Sequence, residues 1–84
     1  MDKTIFSGDY ETFLRLMRDA RRASGLTQEQ MAERLGQTQS FISKCERGER
    51  RLDLVEVRAF CIAMGVSFPA FVTEFDREVG EVIT

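Results

Sequence analysis

At 84 residues the chain has room for one domain built around a single modest core. Its composition, 43% hydrophobic and 31% charged, is that of ordinary soluble globular material; no apolar run nears membrane-span length and no signal-peptide pattern opens the chain, so a cytoplasmic location is expected. With no histidine, two cysteines and a net charge of −2, neither a zinc site, a disulfide scaffold nor any cofactor is expected, and the absence of a nucleophile–base spacing or a phosphate loop argues against an enzyme.

Residues 1–9 lack a helical period and read as a short N-terminal arm, with Ile5 and Phe6 able to dock on the domain. Asp9 is a candidate N-cap for a first helix from about Tyr10 to Ala23 or Ser24. In that helix Phe13, Met17 and Ala20 form a buried stripe flanked by Tyr10, Leu14 and Leu16. Arg21 continues the stripe one turn beyond Met17, and a charge in that position needs a partner.

The stretch from Leu26 to Gly48, LTQEQMAERLGQTQSFISKCERG, carries the densest boundary signals. Thr27 and Gln30 form a capping box, and Leu26 with Met31 forms a hydrophobic staple. The second helix therefore spans about Gln28 to Leu35, burying Met31, Ala32 and Leu35. Gly36 ends it, since a C′ residue must tolerate positive φ. Thr38 caps a third helix from about Gln39 to Glu46 or Arg47, which Gly48 stops. Ile42 and Cys45 face inward, while Gln39, Ser40, Ser43 and Lys44 lie on the other side.

Two short helices joined by a glycine-containing turn make a helix-turn-helix, which presents its second helix outward. The outward residues suit a DNA major groove. Gln pairs bidentately with adenine N6 and N7, Ser donates or accepts at several bases, and Lys reaches guanine O6 and N7 or a phosphate. A merely solvated face more often carries Glu and Lys pairs. The base-contact candidates are thus Gln39, Ser40 and Lys44, with Ser43 and Thr38 as weaker members.

Between the third and fourth helices lies GERRLD, a charged loop holding Glu49, Arg50 and Arg51. Asp53 and Glu56 then open a fourth helix from Leu54 to Met64, whose inner face is Val57, Phe60, Cys61 and Met64, joined by Leu52 and Leu54. Gly65 closes it. Ser67 caps a fifth helix in which Pro69 is tolerated in the first turn. Phe68, Phe71, Val72 and Phe75 give this helix an apolar face larger than so small a core requires. Part of it should complete the core, which leaves the rest as surplus apolar surface. Residues 76–84 form a C-terminal tail that could extend an interface, form a short strand or remain disordered. Cys45 and Cys61 read as buried core thiols.

Charge is unevenly spread. From Arg15 to Arg58 there are ten basic and seven acidic residues, a balance of +3, whereas the remainder holds two basic and seven acidic, or −5. The local field around the helix-turn-helix is therefore basic in an acidic chain.

The segment LTQEQMAERLG–QTQSFISKCERG, followed by LDLVEVRAFCIAMGVSFPAFV, resembles the phage-repressor-type (Xre/Cro-like) helix-turn-helix family over about residues 10–75. The resemblance implies an all-α, compact five-helix, lambda-repressor-like DNA-binding domain. It implies that Arg21 pairs with Glu46 in a buried structural ion pair. It further implies that Gln28 and the amides opening the second helix hold one DNA phosphate, and that Arg47, Arg50 and Arg51 follow the backbone. Related domains pair through their fifth helix, so Phe68, Phe71, Val72 and Phe75 become the dimer candidates. Phe41 departs from the family's polar residues early in the third helix and is expected to tuck against the second helix rather than stay exposed to meet a thymine methyl. Double-stranded DNA and a second copy of the chain are the expected partners. The competing expectation is an antitoxin or phage-type accessory protein that chiefly binds another protein.

Overall fold

The computed structural model describes residues 4–80, with side chains described from residue 8. Five helices follow one another: α1 Thr4–Ala23, α2 Gln28–Leu35, α3 Gln39–Glu46, α4 Leu54–Met64 and α5 Phe68–Val79. No strand occurs among the described residues, and no single helix there is long and apolar enough to cross a membrane.

Local chemistry sets most of these boundaries. Thr27 accepts the Gln30 backbone N–H while the Gln30 side chain accepts the Thr27 N–H, a reciprocal capping box that Asp53 and Glu56 repeat at α4. Thr38 accepts from Phe41 N–H at α3, and Ser67 from Ala70 N–H at α5. Each satisfies a first-turn amide that has no partner within its helix. Gly36, left-handed at φ 67°, closes α2 by donating its N–H to the Ala32 and Glu33 carbonyls.

Two boundaries differ from expectation. Helix α1 begins at Thr4 rather than near Tyr10, so residues 4–9 of the expected arm are helical and Asp9 lies inside the helix instead of capping it. Once the packed turns from Tyr10 onward have formed, each further residue adds a hydrogen bond without a new nucleation cost. The side chains of Ile5 and Phe6 lie outside the described residues. At the other end, α5 continues through Asp76–Val79 before Gly80, because Val79 repeats the apolar spacing one turn after Phe75. Of the tail, residues 81–84 lie outside the described residues.

The core is built from Phe13, Leu14, Leu16 and Met17 of α1, Leu26, Met31 and Ala32 of α2 and its approach, Ile42 and Cys45 of α3, Phe60, Cys61 and Met64 of α4, and Phe71 of α5. Leu14 and Leu16 are as deeply buried as Phe13, since α3 and α5 both pack against α1. Phe71 and Phe75 each meet the Phe13 ring edge-on, with centroids 6.0 and 6.3 Å away. Phe41 is half-buried beside Phe60 of α4, with ring centroids 6.5 Å apart. Leu54 does not join the core: it is 70% exposed on the rim of a shallow depression shared with Tyr10 and Phe75. Leu52 is half-buried, and its N–H donates to the Tyr10 hydroxyl at 3.1 Å.

One glycine is constrained from two directions. Gly48, just past α3, has φ 81°, and a Cβ there would lie 3.1 Å from Leu14 Cδ1. Gly48→Ala should therefore destabilise the fold by about 1–3 kcal/mol in urea denaturation, combining left-handed strain with displacement of a core leucine. An unchanged midpoint would show that the α3–α4 turn readily adopts another conformation.

Candidate nucleic-acid interface

Helix α3 divides sharply between its two sides. Ile42 and Cys45 are buried to 0% and 1% exposure, whereas Gln39, Ser40 and Lys44 are exposed and Ser43 is half-buried. Thr38 is exposed at the N-cap, its hydroxyl oxygen already accepting Phe41 N–H at 3.0 Å.

What holds this face in place is a polar cluster behind it. Glu46, the last residue of α3, is 8% exposed and meets Arg21 of α1, also 8% exposed. Arg21 donates Nε to Glu46 Oε2 at 2.6 Å and Nη2 to Oε1 at 3.0 Å, a bidentate fork. Its remaining Nη1 donates to the Leu26 carbonyl at 2.9 Å, joining the approach to α2. Arg18 donates Nη1 to the Glu46 backbone carbonyl at 3.1 Å, satisfying one of the free carbonyls at the α3 C-terminus. No buried side-chain nitrogen or oxygen among the described residues lacks a partner. Sequence reading missed Arg18; a basic residue three before Arg21 on the same helix face was the available signal.

The cluster reaches the surface through two glutamines. Gln28 donates Nε2 to Glu46 Oε1 at 3.0 Å and accepts from Gln39 Nε2 at 3.3 Å. Gln39 is thus linked through Gln28 to the buried pair. Gln28, at the first position of α2, sits where that helix presents its free amides.

The loop arginines stand nearby but are engaged within the chain. Arg47 donates to Ser43 and forms a two-bond pair with Glu49. Arg50 pairs with Glu56 at 2.8 Å and lies 5.0 Å from the centre of the Phe41 ring. Arg51 sits 4.0 Å over the Tyr10 ring. The Arg47 guanidinium holds the Glu49 carboxyl below its ordinary pKa, and Arg50 does the same for Glu56, helped by the backbone N–H of Asp53. Lys44 has no ion pair among the described residues.

Of the four dimer candidates, Phe71 is a core residue at 6% exposure, which corrects its assignment to an interface; Phe13 covers it. Phe68 and Phe75 are half-buried, and Val72 is exposed at 42%. The two cysteines are free and buried, and burial pushes both thiols up from their ordinary pKa. Among the described residues no group of three or more His, Cys, Asp or Glu side chains is placed to hold a metal ion.

A family model described as a helix-turn-helix domain matches residues 12–71. The fold is similar to that of an XRE-family-like protein from Pseudomonas syringae, with a TM-score of 0.86 and 41% identity, over 93% of this chain and 95% of that one. The chain belongs to the XRE family of helix-turn-helix proteins. It is also 39% identical, over 57 residues, to an uncharacterized HTH-type transcriptional regulator, y4dJ, of Sinorhizobium fredii; the match covers 68% of this chain and 74% of that protein. The family is one of non-enzymatic helix-turn-helix transcriptional regulators, and here the polar side of α3 is exposed.

The buried pair yields a direct test. Glu46→Ala should cost about 3–5 kcal/mol in denaturant unfolding, because it leaves Arg21 charged and uncompensated in the core. The double variant Arg21→Met/Glu46→Leu should cost far less than the two single losses together. Additive losses would mean that the two side chains do not act as a pair.

Proposed function

We propose that this protein is a sequence-specific, double-stranded DNA-binding transcriptional regulator of the cytoplasm. In its simplest form it is a repressor that occupies a promoter as a homodimer on a palindromic operator. The observation that carries this reading is the α3 face: Gln39, Ser40 and Lys44 project outward from a helix anchored by the Arg21–Glu46 pair.

In this reading α3 lies in the major groove. Gln39 pairs with an adenine, Ser40 meets a neighbouring base edge, and Lys44 reaches a guanine or a phosphate. Ser43, held by Arg47, and Thr38, occupied as a cap, take lesser roles, Thr38 at a thymine methyl or a phosphate. Gln28 and the amides opening α2 hold one backbone phosphate. Arg47, Arg50 and Arg51 contact others. The Arg47–Glu49 and Arg50–Glu56 pairs lie at the surface, where such pairs are worth at most about 1 kcal/mol, so a phosphate can take over either guanidinium.

With a net charge of −2 the chain gains little from nonspecific attraction, and a single short helix reads too few bases for a useful site. Two copies related by a two-fold axis remedy both. Val72, with the outer parts of Phe68 and Phe75, supplies the α5 surface for that pairing. A second reading has an observation of its own: Leu54, Val55 and Ile62 of α4 are 60–75% exposed, an apolar face that suits an antitoxin or phage-type accessory protein with a protein partner.

Selection of bound sequences from a random duplex pool at about 0.15 M salt tests the proposal. Enrichment of a palindrome with half-sites about 10 base pairs apart is expected. Weak, salt-sensitive binding with no enriched sequence would instead favour the partner-protein reading.

A further inference from the structure

An open groove of about 830 Å³ runs along α1 beside the helix-turn-helix. Five arginines line it, Arg15, Arg18, Arg21, Arg22 and Arg47, against the two carboxylates of Glu11 and Glu46. That is a local balance of +3 in a chain whose net charge is −2. We propose that this groove is a second DNA-backbone site, in which α1 holds the strand flanking the bases read by α3. The inference rests on the DNA-binding function proposed above and adds a part of the chain to it.

Three observations point to a polyanionic strand. First, Arg15, Arg18 and Arg22 recur at spacings of three and four, so they share one face of α1 over about 10 Å. Successive phosphates recur along a DNA strand, so a row of this length can meet more than one of them. A single small anion would call for convergent rather than distributed guanidiniums. Second, the groove is continuous with the proposed interface, since Gln28 at the start of α2 and Arg47 at the end of α3 also line it.

Third, the cations there are available. Arg22 is exposed and has no hydrogen bond or ion pair among the described residues. Arg15 is held at 2.9 Å by Glu78 of α5 and at 3.7 Å by Asp19, both through exposed pairs that a phosphate can displace. Arg21 is committed to Glu46, and Arg18 to the Glu46 carbonyl. The working contacts are therefore Arg15 and Arg22 at the two ends of the row, with Arg18 between them contributing field more than hydrogen bonds.

The test is the salt dependence of affinity for a selected operator, measured for the whole chain and for Arg22→Ala and Arg15→Ala/Arg22→Ala. Each lost phosphate contact should lower the slope of log K against log salt by about 0.9. The single variant should lose about one such step and the double about two, with base preference unchanged. Arg22 has no partner among the described residues, so its replacement reads the contact even where the double variant unfolds. An Arg22→Ala slope equal to that of the unaltered protein would overturn the inference while leaving the α3 readout standing. Saturable thermal stabilisation by ATP that Arg22→Ala removes, with that slope unchanged, would likewise overturn it in favour of a small anionic ligand. Failure of the unaltered protein to select any operator would remove the DNA-binding reading itself, and this groove's role with it.

Discussion

The fold depends on one buried charge pair. Helices α2 and α3 have eight residues each, too few to be stable alone, and their apolar residues Met31, Ala32, Ile42 and Cys45 hold them to the core without a polar contact to fix their register. Arg21 and Glu46 add that directional constraint. Arg21 spends all three of its nitrogens on two elements, the end of α3 and the approach to α2, while Glu46 gathers Arg21 and Gln28 on its carboxylate and Arg18 on its carbonyl. Burying both charges costs much of what their attraction returns, so the net gain in stability is small. What the pair gives is a single geometry, because any other arrangement would strand a charge in the core.

That geometry is passed outward. Glu46 holds Gln28, Gln28 holds Gln39, and Gln39 heads the exposed face of α3. A glutamine held in this way loses less side-chain freedom on contacting a base than one free in solvent, which favours recognition over loose attraction. The charge pattern fits the same economy. Arginines gather around α1 and the α3–α4 loop, several of them paired with exposed carboxylates, so local basic charge persists in a chain that is acidic overall.

Legibility from sequence followed the range of the interactions. The caps at Thr27, Thr38, Asp53 and Ser67 were readable because each bonds a backbone amide three residues away. Gly36 and Gly48 were readable from their φ requirement. The start of α1 was not, because residues 4–9 carry no helical apolar period and the helix extends there by propagation from packed turns. Phe71 and Val72 are neighbours in sequence, and only the position of the Phe13 ring decides that Phe71 is core and Val72 is surface. The partners of the loop arginines were equally hidden: that Arg50 turns to Glu56 and Phe41, and Arg51 to Tyr10, depends on how α1, α3 and α4 converge. The family resemblance brought Arg21 and Glu46 together on paper, but Arg18 and the two glutamines that complete the cluster required the fold.

The most direct test of base reading by this anchored face is atomic substitution in the DNA. In a selected operator, 7-deazaadenine placed singly at each adenine of a half-site removes the major-groove N7 acceptor without disturbing Watson–Crick pairing. The account predicts that at one adenine this substitution weakens binding by about 1–3 kcal/mol, and that Gln39→Ala protein no longer distinguishes the two operators. Equal affinity for every substituted operator, with binding abolished by a minor-groove ligand, would contradict it.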